Sequence, residues 1–310
     1  MQTGNATFRQ DIAQVIQENM LGAGQFVGLE VMPLLPVDAR NGSFSKIAFS
    51  TVKTKAVDDK RGTSGYYNEV VHEVEEDTYN CKKRGLVEPV DDDDALVLGA
   101  YFDAEVSAAD HCRYYLQLNR EKRISTIAFA TSTSYKDDAI AKWDDATNAQ
   151  PVKDVDLAKN ALIDQVNGMV GGGARIIGIG NNKARTNLRS TDDIKNRAYG
   201  GGNIQTTTIS DAQLAEILGL DGVYFSGLKQ AGSDIWASTI FGLFIVYDGQ
   251  NLRSVPHYGR TMLWRDSTPT DMMVETYRDE GRESDMVRVK HNSVEKRLVD
   301  RAHRLITTIE

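Results

Sequence analysis

The stretch LGAYFDAEVSAADHCRYYLQLNREKRISTI, residues 98–127, predicts a long helix, and the interpretation of the rest of the chain depends on it. Apolar side chains recur along it every three or four residues, which is the spacing of one helix face. They are Leu98, Phe102, Val106, Ala109, Cys112 and Leu116, followed by Ile124 and Ile127. We expect the helix to cover residues 88–130. At about 1.5 Å per residue it would approach about 50 Å, longer than most helices of compact domains.

Four consecutive aspartates precede this helix or lie in its first turn. Carboxylates at that position cap free backbone amides and face the positive end of the helix dipole. Their oxygens could also bind a divalent cation, although the spacing is not that of an EF-hand loop. We favour a solvated helix start as the role of Asp91, Asp92, Asp93 and Asp94.

The chain before the helix predicts an arm followed by extended structure. Residues 1–22 carry a narrow apolar stripe typical of a short amphipathic helix, formed by Phe8, Ile12, Val15, Ile16 and Met20. A helix this short is marginal in water, so it needs another surface. Pro33 and Pro36 exclude a helix through the next stretch, and residues 23–80 are predicted to be extended.

Two strand-like segments, residues 44–50 and 69–79, flank a long polar segment and predict a projecting β-hairpin. A lone hairpin is barely stable, so we expect this one to lie on a neighbouring subunit. The polar segment contains Lys53, Lys55, Lys60 and Arg61. These side chains could contact acidic groups of an adjacent subunit, or they could simply be solvated, since exposed ion pairs are weak.

The chain after the long helix predicts an α/β unit and then further strands. The predicted helices cover residues 155–166, 181–189 and 209–218; the predicted strands cover residues 175–179, 223–225 and 241–247. Ser210 is a good N-cap and Gly219 a good stop for the third helix. From residue 266 onward strands return, and Val287 and Val289 alternate with charged residues, as in a strand with one buried face.

Bulk composition is that of a folded soluble protein with no sign of secretion. Among 310 residues, 41% are hydrophobic and 26% charged, which argues against a disordered chain. No apolar run reaches the roughly 20 residues that a spanning helix needs, and residues 1–10 lack the pattern of a secretory signal. Two cysteines, Cys81 and Cys112, make no disulfide framework or metal-ligand spacing. The net charge of -8 is not that of a nucleic-acid binder.

No residue pattern predicts catalysis, cofactor binding or metal binding. The phrase GIGNNKAR, residues 178–185, follows a strand and precedes a helix, but it lacks the third glycine of a dinucleotide-binding motif. We interpret Gly178 and Gly180 as part of a tight strand-to-helix turn. Ser226 and Ser254 lack a nucleophile elbow. The five histidines show no metal-binding spacing: His72, His111, His257, His291 and His303. We therefore predict no site residues and no enzyme.

Several phrases, in order along the chain, resemble a known protein family. They are GLEVMPLLPVDARNGSFSKIA (28–48), YNCKKRGLVEPVDDDD (79–94), residues 143–145 with 151–166, and TISDAQLAEILGL (208–220). The family is that of the major capsid proteins of tailed double-stranded DNA bacteriophages with the Hong Kong 97-like fold. The first two phrases resemble the start and the end of its E-loop, and the last two resemble parts of its axial domain. One departure is GGGARIIGIG (171–180), where the family often has an asparagine–proline element. The resemblance covers nearly the whole chain.

This resemblance implies an α+β fold with a fixed order of parts. Residues 1–40 would form an N-terminal arm, 41–80 the E-loop hairpin, and 81–149 the peripheral (P) domain with its spine helix. Residues 150–265 would form the axial (A) domain, and 266–310 would return to the P domain.

The resemblance also implies a structural protein of the virion. The chain would self-assemble in the host cytoplasm, through hexamers and pentamers, into an icosahedral shell that encloses double-stranded DNA without sequence-specific binding. Portal and scaffolding proteins would be its partners, with decoration or head-completion proteins as further candidates; a membrane would not. The alternatives are an encapsulin-type nanocompartment of the same fold and, far less favoured, a nucleotide-binding enzyme using the glycines near residue 178.

Overall fold

The structure is a computed structural model that describes residues 7–8, 23–47, 59–61, 65–67, 74–93, 104–132, 134–199, 209–252, 255–266 and 270–310. The α-helices of this part of the chain are α1 (Gly28–Val31), α2 (Ala104–Ala128), α3 (Pro151–Gln165), α4 (Asn182–Ser190), α5 (Asp192–Tyr199) and α6 (Asp211–Ile217). The first strands are β1 (Thr7–Phe8), β2 (Leu34–Val37), β3 (Asn41–Ile47), β4 (Val74–Asn80), β5 (Lys82–Asp91), β6 (Lys136–Asp138), β7 (Arg175–Asn181) and β8 (Gly222–Ser226). The later strands are β9 (Lys229–Gln230), β10 (Ser233–Asp234), β11 (Phe241–Val246), β12 (Gly259–Trp264), β13 (Met273–Asp279), β14 (Ser284–Arg297) and β15 (His303–Thr307).

The long helix α2 is confirmed over 25 residues, about 37 Å at 1.5 Å per residue. Ala109, Cys112, Leu116 and Ile124 of the predicted stripe are buried. The prediction that the helix begins at residue 88 is wrong, because the chain up to Asp91 is paired along β14 as strand β5. Ten consecutive cross-strand pairs outweigh the weak local preference for a helix there. Leu98 and Phe102 lie outside the described residues.

A six-stranded sheet packs against α2. Its order is β1-β13-β14-β12-β2, and β5 pairs with β14 as well. Val287 and Val289 are buried there with Cys112 and Leu116, which confirms the predicted alternation in β14. Phe8 belongs to the two-residue strand β1 and not to a helix, because it pairs with β13. Residues 9–22 of the predicted arm helix lie outside the described part of the chain.

A second sheet of five strands, in the order β6-β15-β11-β7-β8, carries most of the main hydrophobic core. All six residues of its central strand β11 are buried. With helices α3 to α6 it forms what we call the five-stranded unit. The predicted helices and strands of residues 151–247 are confirmed, with ends shifted by a few residues. Ser210 caps α6 in a capping box with Gln213, and Gly219 ends it with φ +63°.

Each of the two sheets combines strands from both sides of the domain boundary predicted at residue 265. The predicted domain boundaries stay predictions. Strand β12 precedes the boundary at residue 265 but belongs to the six-stranded sheet, while β15 follows it and lies next to β11 in the five-stranded sheet. One further expectation is wrong: residues 28–31 of the stretch predicted to be extended form the short helix α1. A buried carboxylate at the N-terminus of this helix is the physical reason, as described next.

Candidate functional site

The predicted hairpin is present as strands β3 and β4, which pair antiparallel from Asn41 opposite Asn80 to Ile47 opposite Val74. They form a two-stranded sheet of their own, to which no other strand of the described residues is added. At its base the Tyr79 hydroxyl donates to the carbonyl of Ala39 at 3.2 Å. The prediction of a hairpin is confirmed, and residues 48–50 and 69–73 of its predicted strands lie outside the described residues.

Ion pairs hold the base of the hairpin against the six-stranded sheet. Lys296 of β14 donates to Asp77 at 2.8 Å, and Lys46 lies 3.6 Å from the other oxygen of the same carboxylate. Partial burial alone would raise the pKa of Asp77, but hydrogen bonds from Lys296 and the Thr78 amide outweigh it and lower that pKa. Asp77 therefore stays ionised at neutral pH and anchors the hairpin to β14.

The described part of the hairpin tip, residues 59–61 and 65–67, presents aromatic rings to solvent. Tyr66 is 99% exposed and Tyr67 is 74% exposed. The Arg61 side chain donates to the carbonyl of Gly65 at 2.8 Å, and its guanidinium lies 4.7 Å from the centre of the Tyr67 ring. Tyrosine and arginine are the residue types that protein interfaces use as anchors.

Of the four basic residues predicted for this loop, Lys60 and Arg61 are described and exposed, while Lys53 and Lys55 lie outside the described residues. Arg61 stacks on Tyr67 in its own chain. The tip is therefore a combined cationic and aromatic surface and not a purely charged one.

A buried carboxylate joins the long helix to the segment that leads into the hairpin. Glu121 of α2 accepts hydrogen bonds at 2.9 Å from the backbone amides of Val27 and Gly28, at the N-terminus of α1. It also accepts the Trp236 indole N–H at 2.7 Å. Burial raises the pKa of Glu121, although these three donors act in the opposite direction. The contact explains why α1 forms, since a carboxylate satisfies its free amides.

Glycine at position 28 is required by this close approach, because a Cβ there would lie 2.6 Å from Glu121 Oε2. Glu121 was missed from the sequence. The only signal was a carboxylate three residues before the buried Ile124 on the long helix. A charge on an apolar helix face is usually solvated, so this signal alone could not identify a buried junction.

The glycines of the phrase GIGNNKAR lie inside strand β7, so their interpretation as part of a tight turn is wrong. A Cβ on Gly178 would lie 2.6 Å from the Phe241 ring, and one on Gly180 would lie 3.0 Å from it. Both positions are glycine because the ring of the neighbouring strand lies across them. One free amide at the start of α4, that of Lys183, is satisfied by the side-chain oxygen of the N-cap Asn181.

One of the aspartates near residue 91 forms a structural ion pair. Asp92 binds Arg278 through two hydrogen bonds of 2.6 Å. Asp91 ends strand β5, Asp93 follows it as a helical residue, and Asp94 lies outside the described residues. Among those described, no group of three or more His, Cys, Asp or Glu side chains is placed to hold a metal ion.

Three of the five histidines are buried in the interior. The Nδ1 atoms of His257, His291 and His303 lie 2.7–3.0 Å from the Val255 carbonyl, the Ser293 hydroxyl and the Asp300 carbonyl, respectively. Burial lowers the pKa of each to about 4. His111 is exposed, 3.4 Å from Glu88, and His72 lies outside the described residues. The three buried rings are neutral at pH 7.

The serine hydroxyl at the end of β8 has a structural partner. Ser226 donates to the Gln25 carbonyl at 2.8 Å, and the Gly227 amide donates to the Gln25 side chain at 2.8 Å. These bonds fix the segment before α1 along the edge strand β8. Ser254 lies outside the described residues.

No helix of the described part of the chain is long and apolar enough to cross a membrane.

Solved structures of low sequence identity share this fold. A phage-related protein from Bordetella bronchiseptica RB50 gives a TM-score of 0.70 at 17% identity, covering 98% of this chain and 98% of that one. The capsid of a native GTA particle gives 0.57 at 13% identity, covering 94% and 92%. A virus-like particle from Pyrococcus furiosus gives 0.54 at 14% identity, covering 96% and 96%. No protein-family model and no curated protein matches the sequence.

These likenesses extend over nearly the whole chain and establish its fold. The α+β class and the phage-capsid fold predicted from the sequence are confirmed. The departure at residues 171–180 does not disturb this fold, since Gly172 and Gly173 form a turn that is followed by the buried strand β7.

Proposed function

We propose that this chain is the major capsid protein of a tailed double-stranded DNA bacteriophage and assembles with copies of itself into an icosahedral shell. Its role is structural and not enzymatic. The fold shared with the GTA capsid and the Pyrococcus furiosus particle supports this proposal. The observation that carries it is the hairpin, whose aromatic tip is exposed in the single chain.

The hairpin's exposure has a physical consequence. A two-stranded hairpin is marginally stable at best in water. Buried against a neighbour, Tyr66 and Tyr67 would remove apolar surface from water at roughly 25 cal/mol per Å². Each such contact is modest, but a closed symmetric shell repeats it in every subunit, so that the contacts reinforce one another.

The finer features of the proposal come from the resemblance to the capsid family. The subunits form hexamers and pentamers with the A domains at their centres, and the E-loop and the arm reach adjacent subunits. Assembly occurs in the host cytoplasm with a portal and a scaffolding protein, and decoration or head-completion proteins are further candidate partners. The enclosed DNA is not gripped, because a chain of net charge -8 attracts few phosphates.

An encapsulin-type shell is the alternative of the same fold. The likeness to the Pyrococcus furiosus virus-like particle extends over 96% of both chains. The two functions differ in what the shell contains, which is DNA in one case and protein cargo in the other. The subunit contacts described above serve both, so the contents of the particle decide between them.

The test is to purify the protein, with its scaffolding protein where one is encoded nearby, and to view it by electron microscopy. We expect closed shells or capsomers. Particles from the native source should protect double-stranded DNA from nuclease, whereas an encapsulin would hold protein cargo and no protected DNA. A compact monomer that never associates, with or without scaffold, would contradict the proposal.

A further inference from the structure

The five-stranded sheet has two edge strands that differ in what covers them. Strand β8 is covered by the segment before and within α1, through the hydrogen bonds of Gln25 to Ser226 and Gly227. Strand β6 pairs with β15 on one side, and no other strand of the described residues pairs with it. An uncovered strand edge is a site at which another chain can add.

A cleft of about 390 Å³ lies beside β6, between this strand and helix α3. Its rim carries Ile140 and Leu157, which are 51% and 55% exposed. These two are the exposed large apolar side chains of the five-stranded unit among its described residues, and both line the same cleft. Such a concentration of exposed apolar surface is typical of an interaction site.

The charged walls of the cleft already have partners. Arg304 makes two hydrogen bonds of 2.5 Å to Asp137. Asp154 accepts the indole N–H of Trp143 at 2.9 Å and the amide of Ile140 at 3.1 Å. A small polar ligand would have to displace these bonds. The apolar rim can be buried without breaking any of them, which favours a protein surface as the occupant.

The edge with the cleft is acidic, and helix α4 at the opposite end of the helical layer is basic. Residues 136–165 contain four lysines and seven aspartates, a formal charge of −3. Helix α4, which lies against β7 and β8 at the other end of the sheet, contains Lys183, Arg185 and Arg189 and no acidic residue, a charge of +3. Counting Arg304, the ion-pair partner of Asp137, changes the charge of the cleft edge to −2. Counting Asp211 and Glu310, the partners of Arg185 and Lys183, changes the charge at α4 to +1. The two ends remain opposite in sign.

We propose that the cleft between β6 and α3 receives the α4 face of a second copy of this chain. The proposal rests on the proposed shell function and names the surface by which neighbouring five-stranded units meet. A two-fold contact between two acidic edges would place like charges together. A head-to-tail contact between an acidic and a basic edge places opposite charges together and repeats around a rotation axis into a ring.

The first test compares Leu157→Asp with Leu157→Met in shell assembly followed by light scattering and electron microscopy. A charge on the rim should lower shell yield by about tenfold or more, whereas methionine keeps the apolar contact and the yield, since 1.4 kcal/mol in a contact is tenfold in its equilibrium. Leu157 is half-exposed, so both isolated subunits should melt at the wild-type temperature. A yield for Leu157→Asp equal to that of Leu157→Met would overturn the proposal.

The second test identifies the partner surface by charge reversal. Asp156 and Asp164 are exposed on α3, and Lys183 is exposed on α4. The double variant Asp156→Lys, Asp164→Lys should assemble poorly, and adding Lys183→Glu should restore part of the yield. No recovery would reject α4 as the occupant. If the wild-type chain itself never forms capsomers, the shell function fails and not merely this contact.

Discussion

The five-stranded unit and the hairpin differ in what surrounds their strands. Every residue of β11 is buried, and the Phe241 ring lies across Gly178 and Gly180 of the next strand. The hairpin strands β3 and β4 pair with each other alone among the described strands, and the tip beyond them exposes Tyr66 and Tyr67. The first region has its stabilising contacts within the chain. The second is anchored to its own chain at its base, through Asp77 and Lys296, and we infer that its tip obtains its contacts from another subunit.

Removing the ring at the centre of the five-stranded unit should have the largest effect on stability. Phe241→Ala leaves a cavity over two glycines that cannot fill it, so we expect the free energy of unfolding to fall by about 3–5 kcal/mol. Chemical denaturation of the unassembled subunit measures this. Tyr66→Ala, the matched removal of a ring at the hairpin tip, is the control. Equal losses for the two variants would contradict the difference between the regions.

The junction at Glu121 should be next in magnitude. Glu121→Gln keeps the size of the side chain but replaces one of its two acceptor oxygens with an NH2 group, which meets the Gly28 amide, itself a donor. Leaving such buried groups unpaired should cost about 2–3 kcal/mol. The exposed Glu216→Gln on α6 is the control for the loss of a carboxylate. An unfolding free energy equal to that of the control would show that the junction is not a stabilising contact.

Acid should destabilise the folded interior through the three buried histidines. Their pKa is about 4 in the folded chain and about 6.5 in the unfolded one, so the unfolded state binds protons first. The stabilisation is complete above pH 6.5 and is lost as the pH falls towards 4. At pH 5 each of the three histidines lowers the free energy of unfolding by about 2 kcal/mol relative to its value above pH 6.5.

Charged neighbours also act on the pKa values of these rings. Arg260 lowers the pKa of His257. The pKa of His291 is lowered by Arg120 and Arg123 and raised by Asp271 and Glu295. The pKa of His303 is lowered by Arg297 and Arg304 and raised by Asp300.

The variant His303→Phe should reduce the slope of unfolding free energy against pH between 6.5 and 5, measured by denaturation at a series of pH values. His111→Gln, at an exposed position, should leave the slope as in the wild type. A slope unchanged by His303→Phe would contradict this assignment.

The hairpin tip should contribute least to the stability of the isolated subunit. Tyr66→Ala should change the unfolding free energy by less than about 0.5 kcal/mol, because the ring is 99% exposed. The same variant should reduce the yield of shells about tenfold or more if the ring is buried at a subunit contact. Tyr66→Phe keeps the ring and serves as the control for assembly. Wild-type assembly by Tyr66→Ala would remove Tyr66 as an anchor.

What could be predicted from the sequence was local. The helix α6 was identified with its cap at Ser210 and its end at Gly219, because capping and glycine stops depend on neighbouring residues. The long helix α2 was identified from its apolar spacing. The order of these elements also gave the fold through its resemblance to the capsid family.

What could not be predicted depends on partners distant in the sequence. Nothing near Phe8 indicates that it pairs with Glu275, and nothing near residue 88 indicates that β14 holds that segment as a strand. Glu121 shows the same limit, since its three donors come from residues 27, 28 and 236. The cleft beside β6 could not be foreseen either, because it requires β15, which lies far along the chain, to be placed beside β6.

A cryo-electron microscopy map of the assembled particle tests the account most directly. We expect the hairpin tip beyond β3 and β4 of one subunit to lie on its neighbour, with the rings of Tyr66 and Tyr67 buried in that contact. A particle in which both rings remain in solvent, or in which the tip lies on its own subunit, would contradict this.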